Sequence, residues 1–123
     1  MREAGARRRN RELVSHLVES GVLTDPAVKA AFQAVLRHQF LPGRRLAYVY
    51  EDTAIPTKTD EQGLALSSSS QPAIMALMLQ QLALQPGQRV LEIGAGSGYN
   101  AALMGRLVGP EGQVYTLDID EEV

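Results

Sequence analysis

The sequence predicts an α/β domain in which a helical N-terminal extension leads into the first strand–helix–strand unit of a parallel sheet. Three observations carry this. Apolar residues recur at helical spacing towards the N-terminus; two short apolar stretches, Arg89–Ile93 and Gln113–Leu117, flank a helical one; and glycines alternate in the bend after the first of them. At 123 residues, 45% hydrophobic and 21% charged, the chain has the size and composition of one domain with its own core.

In Arg11–Ser20 the residues Leu13, Val14, Leu17 and Val18 mark the apolar face of a helix, and Gly21 stops it. Asp25 caps a second helix with Pro26 in its first position, burying Val28, Ala31, Phe32, Val35 and Leu36 and ending before Pro42. Pro42 to Ser70 reads as irregular, with a short extended piece at Ala47–Tyr50 and a turn at Asp60–Gly63. Ser70 is placed to cap a helix running to Leu84, with Ile74, Leu77, Met78 and Leu82 inward and the Met75–Met78 pair in the core. After the Pro86-Gly87 turn comes a buried strand with Val90, Leu91 and Ile93, then the glycine bend. A helix from Tyr99 to Val108 follows, packing Ala101, Ala102, Leu103 and Leu107, and the second strand succeeds it. Strand, helix and strand at this spacing form one right-handed βαβ unit.

Composition excludes several classes of function. There is no cysteine, and His16 and His38 are the only histidines, so disulfides, thiolate nucleophiles and a His/Cys zinc site are ruled out. The same observation fits a reducing, cytoplasmic setting. No apolar run approaches the roughly 20 residues of a membrane span, and no signal sequence is evident. A formal charge of −2 argues against general nucleic-acid binding. Arg2, Arg7, Arg8, Arg9 and Arg11 crowd the N-terminus and are expected to form a solvated, frayed tail. Glu111, Asp118, Asp120, Glu121 and Glu122 make the other end acidic. His38, at the end of a packed helix, is expected to be structural.

The informative segment is Val90-Leu91-Glu92-Ile93-Gly94-Ala95-Gly96-Ser97-Gly98-Tyr99. Glycines at the end of a first strand let a ligand approach the backbone, with a helix N-terminus behind them. A dinucleotide fingerprint needs a small residue where Tyr99 stands, and a phosphate loop needs a Gly-Lys-Ser/Thr that is missing. Glu92, just ahead of the first glycine, would repel a pyrophosphate but suits a cation such as a sulfonium with an α-ammonium. Asp118, at the end of the second strand, is placed to accept from ribose hydroxyls, with Asp120 as the alternative. The pattern therefore points to a pocket of the S-adenosyl-L-methionine type.

The flanking residues resemble the protein-L-isoaspartate O-methyltransferase family. Val35-Leu36-Arg37-His38-Gln39-Phe40-Leu41-Pro42 resembles its Val-Pro-Arg-His-x-Phe-Val-Pro stretch, and Ala47–Pro56 the Ala-Tyr…Asp…Pro segment that follows. Ser70-Gln71-Pro72 matches the opening of its next helix, and Leu91–Ala102 its cofactor loop. The resemblance implies a Rossmann-like class I methyltransferase fold. It also implies carboxyl O-methylation of isoaspartyl residues in damaged proteins or peptides, with S-adenosyl-L-methionine as cofactor. Ser70 matches the catalytic serine, which gives it a second role beside that of a cap. Glu92, Gly94, Ala95, Gly96, Gly98 and Asp118 match the cofactor site.

Two departures bear on this. Leu66-Ser67-Ser68-Ser69 replaces the family's Gly-Gln-Thr-Ile, and the stretch from Pro56 to Ser70 is longer than usual, so a carboxylate on another modified peptide is an alternative acceptor. The family's sheet is also larger than the two strands found here. Residues 1–66 are expected to form the helical extension and acceptor-side loop, and residues 67–123 the start of the methyltransferase domain, incomplete within this chain. Such a chain is expected to bind cofactor weakly and to expose a sheet edge open to self-association. A non-catalytic association module is the competing class.

Overall fold

The computed structural model describes residues 2–118; Asp120, the alternative ribose ligand, lies outside them. Helix α1 (Arg2–Glu19) corrects the first expectation, because the arginine-rich opening is helical rather than a frayed tail. Arginine is a good helix former, and the inner face is small and polar: Ala6 is fully buried, and the buried Asn10 amide donates to the Phe32 carbonyl at 3.0 Å. A search for large apolar residues passes over both.

Helix α2 (Pro26–Ala34) forms as the sequence predicts. The Asp25 carboxylate accepts from the N–H groups of Ala27 at 2.7 Å and Val28 at 3.3 Å, with Pro26 in the first turn. Val28, Ala31, Phe32, Val35 and Leu36 are all buried. A single 3₁₀ turn, Arg37–Phe40, follows. The expected extended piece is instead a short helix, α3 (Leu46–Val49), which turns Val49 and Tyr50 into the core. Burial of those two side chains outweighs the strand preference of a Tyr-Val-Tyr run.

The stretch predicted as irregular holds an antiparallel hairpin, β1 (Ile55–Thr59) with β2 (Ala65–Ser69), in the register Ile55↔Ser69 and Thr59↔Ala65. Proline, lysine and consecutive serines hide these strands from a propensity argument. The turn is placed as expected: the Asp60 carboxylate accepts from the N–H groups of Gln62 at 2.9 Å and Leu64 at 2.8 Å.

Helix α4 (Pro72–Leu82) buries Met75, Ala76 and Leu79, while Ile74, Leu77, Met78 and Leu82 are exposed. The inward face is thus the opposite of the one predicted, and of the methionine pair only Met75 is core. This helix is apolar all round, so periodicity could not choose a face. Its outer end is tied to the α1–α2 connection through Gln80. The Gln80 side-chain oxygen accepts from the N–H groups of Thr24 at 2.8 Å and Asp25 at 2.9 Å, and its amide donates to the Val22 carbonyl at 2.9 Å.

Strands β3 (Arg89–Ile93) and β4 (Gln113–Leu117) pair in parallel, Arg89↔Gln113 through Ile93↔Leu117, with α5 (Tyr99–Val108) as the crossover. Helix α5 buries Leu103, Met104, Leu107 and Val108; Ala101 and Ala102 are half-buried. Val90 and Val114 pack against the core, whereas Leu91 is 60% and Ile93 77% exposed, so β3 is not the fully buried strand predicted. Tyr115 and Leu117 share that bare face, opposite Leu91 and Ile93 in the register. Among the described residues no helix is long and apolar enough to cross a membrane.

Candidate active site

A pocket of about 310 Å³ opens between the end of β2 and the bend after β3. Ser68, Ser69 and Ser70 form one wall, Glu92, Gly94, Ala95 and Gly96 the other, and Met75, Met78 and Tyr99 also line it. Ser70, Glu92 and the first half of the glycine bend, predicted separately, are thus brought together. Gly98 and Asp118 stand outside the lining. Gly98 is the N-cap position of α5, and Asp118 accepts from the Gly96 N–H at 3.3 Å. A roomier cleft of about 490 Å³ lies between α1 and α2, lined by Arg7, Arg11, Lys29 and Glu19, away from the glycine bend.

The bend is held from below. The Leu117 carbonyl at the end of β4 accepts from both the Gly94 N–H at 2.8 Å and the Ala95 N–H at 3.1 Å. Gly94 has φ of +94°, and a Cβ there would meet nothing within 4 Å, so the strand turns sharply while its pocket side stays open. Gly96, at φ +57°, would bring a Cβ within 3.6 Å of the Ser68 carbonyl on the facing wall. A side chain at that point would narrow the space between the walls.

Glu92 points to the pocket side of the sheet, paired in register with Thr116. Its carboxylate accepts from the Thr116 hydroxyl at 2.6 Å and from the Asn100 side-chain amide at 2.8 Å. Neither partner is a cation, so these contacts orient the carboxylate without neutralising its charge. Nearby, the Tyr99 hydroxyl and the Asn100 side-chain oxygen are buried with no hydrogen-bond partner among the described residues. Burial pushes the Tyr99 phenol well above its ordinary range, against a small opposing pull from Arg37.

Ser70 is exposed on the pocket wall and does not cap α4. Gln71 occupies the cap position, and the Ala73 N–H goes instead to the Asp52 carboxylate at 2.8 Å. The hydroxyl is therefore not engaged in the role that competed with catalysis. The His38 ring is engaged by its neighbours: its Nδ1 sits 2.8 Å from the Tyr50 hydroxyl and its Nε2 3.3 Å from Glu3. Among the described residues no cluster of three or more His, Asp or Glu is placed to hold a metal.

The residue that sequence reasoning missed is Arg37, wholly buried behind the serine wall. Its terminal nitrogens donate to carbonyls at the end of α3 and in the α3–β1 connection, and to those of Ser69 and Ser70, and its guanidinium lies 5.8 Å from the Tyr99 ring centroid. The available signal was an arginine flanked by Val35, Leu36 and Phe40, where a solvated cation has no reason to sit.

Comparison with known proteins identifies the family. The family model for protein-L-isoaspartate(D-aspartate) O-methyltransferase matches residues 8–123. A protein-L-isoaspartate O-methyltransferase of Ignicoccus hospitalis is 38% identical over 110 residues, covering 89% of this chain and 49% of that protein. Its Methanothermobacter thermautotrophicus counterpart is 37% identical, covering 88% of this chain and 47% of that one. This chain therefore spans about half the length of the curated relatives it matches. A solved protein-L-isoaspartate O-methyltransferase superposes with a TM-score of 0.79 at 37% identity, over 93% of this chain and 35% of the other. The Plasmodium falciparum protein solved with S-adenosyl-L-homocysteine shares the fold, with a TM-score of 0.78 at 24% identity over 92% of this chain and 50% of that one. The chain belongs to the protein-L-isoaspartate(D-aspartate) O-methyltransferase family, and its architecture is a partial Rossmann-like fold of that family's kind.

Proposed function

We propose that the protein is a carboxyl O-methyltransferase that uses S-adenosyl-L-methionine and acts on L-isoaspartyl residues of damaged proteins. The observation that carries this is the pocket itself, in which a carboxylate with no cationic partner among the described residues faces an open glycine bend across from a wall of serines. The residues present fit the cofactor. Glu92 offers a charge for a cation, Gly94 leaves room that a side chain would take, and the Tyr99 hydroxyl and Asn100 oxygen have no hydrogen-bond partner among the described residues. When bound, S-adenosyl-L-methionine supplies a methyl group on a sulfonium, already activated for transfer.

In this reading Glu92 meets the positive charge, and Gly94, Ala95, Gly96 and Gly98 give close approach to the methionine portion. Asp118, already drawn to the Gly96 N–H, holds the ribose. Ser70 orients the incoming carboxylate from the opposite wall. An ordinary carboxylate is ionised near neutrality, so no dedicated base is required. What the protein must supply is alignment and exclusion of water. Residues 1–66 then serve as helical extension and acceptor-side loop, and residues 67–123 as the start of the cofactor domain. The cytoplasm is the proposed compartment, in keeping with a cysteine-free sequence.

The test is transfer of labelled methyl from S-adenosyl-L-methionine to an isoaspartyl peptide, with the matching aspartyl peptide as control. Base-labile label on the isoaspartyl peptide alone is expected. Equal labelling of both peptides, or labelling of neither, overturns the substrate assignment. The bare face of Leu91, Ile93, Tyr115 and Leu117 supports a second reading, association of two copies through this sheet. Light scattering at increasing concentration would detect it.

A further inference from the structure

We propose that Arg37 is a positioning residue: it fixes the serine wall against Tyr99 and thereby sets the gap between the acceptor side and the glycine bend. This rests on reading the serine wall as acceptor-facing. Nη1 donates to the carbonyls of Val49 at 3.0 Å and Glu51 at 3.3 Å. Nη2 donates to the carbonyls of Thr53 at 3.2 Å, Ser69 at 3.4 Å and Ser70 at 3.0 Å, and to the Ser69 hydroxyl at 3.3 Å. Two segments distant in sequence therefore converge on one side chain.

The same guanidinium lies 5.8 Å from the Tyr99 ring centroid, and Tyr99 is the first residue of α5, directly after the glycine bend. Ser70 and Tyr99 both line the pocket. Ser70, Arg37 and Tyr99 thus form a continuous support behind it. Each of these acceptors is neutral, so these hydrogen bonds do not bury the cation as half of an ion pair. Burial lowers its pKa, but a guanidinium remains charged at neutral pH. Holding carbonyls of two separate segments while placing a cation over a ring suits a planar fork with several donors. Lysine, with one nitrogen, cannot reproduce that arrangement.

Hydrogen exchange tests the proposal without relying on activity. In Arg37→Lys, amides of residues 66–71 should exchange about tenfold faster, while those of β3 and β4 stay within about twofold. Unchanged exchange at 66–71, or equal acceleration in both strands, overturns it. Should Arg37→Lys fail to fold, Ser69→Ala deletes a single acceptor, and an increase of about threefold confined to 66–71 is expected; no change overturns the proposal. In methyl transfer, Arg37→Lys should raise KM for the isoaspartyl peptide about tenfold and leave the Kd of S-adenosyl-L-homocysteine within about threefold. A parallel loss of both affinities overturns the positioning role. If the exchange result holds but the unaltered protein methylates no isoaspartyl peptide, the proposed function falls and the clamp stands.

Discussion

Thr116 and Glu92 stand opposite each other in the parallel pair, and the Thr116 hydroxyl donates to the Glu92 carboxylate at 2.6 Å. With the Asn100 amide on the other oxygen, the carboxylate is fixed in direction while its charge stays available. Glu92→Gln keeps the shape and can still satisfy both neighbours, so stability should change by less than about 1 kcal/mol. Affinity for S-adenosyl-L-methionine should fall about tenfold, and that for the uncharged thioether S-adenosyl-L-homocysteine by less. Calorimetric titration of both ligands checks this; equal losses would mean that the carboxylate does not sense the sulfonium.

Gly112 leaves no room for a side chain. An added Cβ would overlap the Val108 Cβ and lie 2.7 Å from the Gln88 carbonyl, both close to the start of the β3–β4 ladder. Gly112→Ala should therefore cost about 1–3 kcal/mol, read as a lower urea midpoint with an unchanged slope.

Asp25 closes the first turn of α2 through two backbone N–H groups. Asp25→Ala should destabilise the protein by about 1 kcal/mol, and Asp25→Asn should restore most of that, in thermal unfolding at neutral pH.

Tyr99 sets an alkaline limit. Its folded pKa is raised above the unfolded value near 10, chiefly by burial, so the folded state holds the proton more tightly. Its contribution is fully present below about pH 10 and is lost as pH climbs towards the raised folded value, at about 1.4 kcal/mol per pH unit. Tyr50, also raised chiefly by burial, has the same sign. Tyr99→Phe should flatten the alkaline fall in urea midpoint without abolishing it; an unchanged slope would refute the assignment.

The sequence was most legible where chemistry is local. The Asp25 cap, the Asp60 turn and the β3–α5–β4 unit each depend on residues a few positions apart, and each formed where expected. Glu92, Ser70 and the bend were legible as components, but their meeting across one pocket depends on long-range packing. What escaped was decided at a distance. Asp52 caps α4 from 21 residues away, and Arg37 reaches Ser70 across 33. The inward face of α4 was illegible for another reason: both its faces are apolar, and only neighbouring elements select one.

The Leu117 carbonyl, which accepts from Gly94 and Ala95 together, has one more consequence. The curve of the chain at this point is tied to the strand beneath it before any ligand arrives. Association should then carry little ordering cost, with encounter rates governed by diffusion and charge rather than by a slow rearrangement.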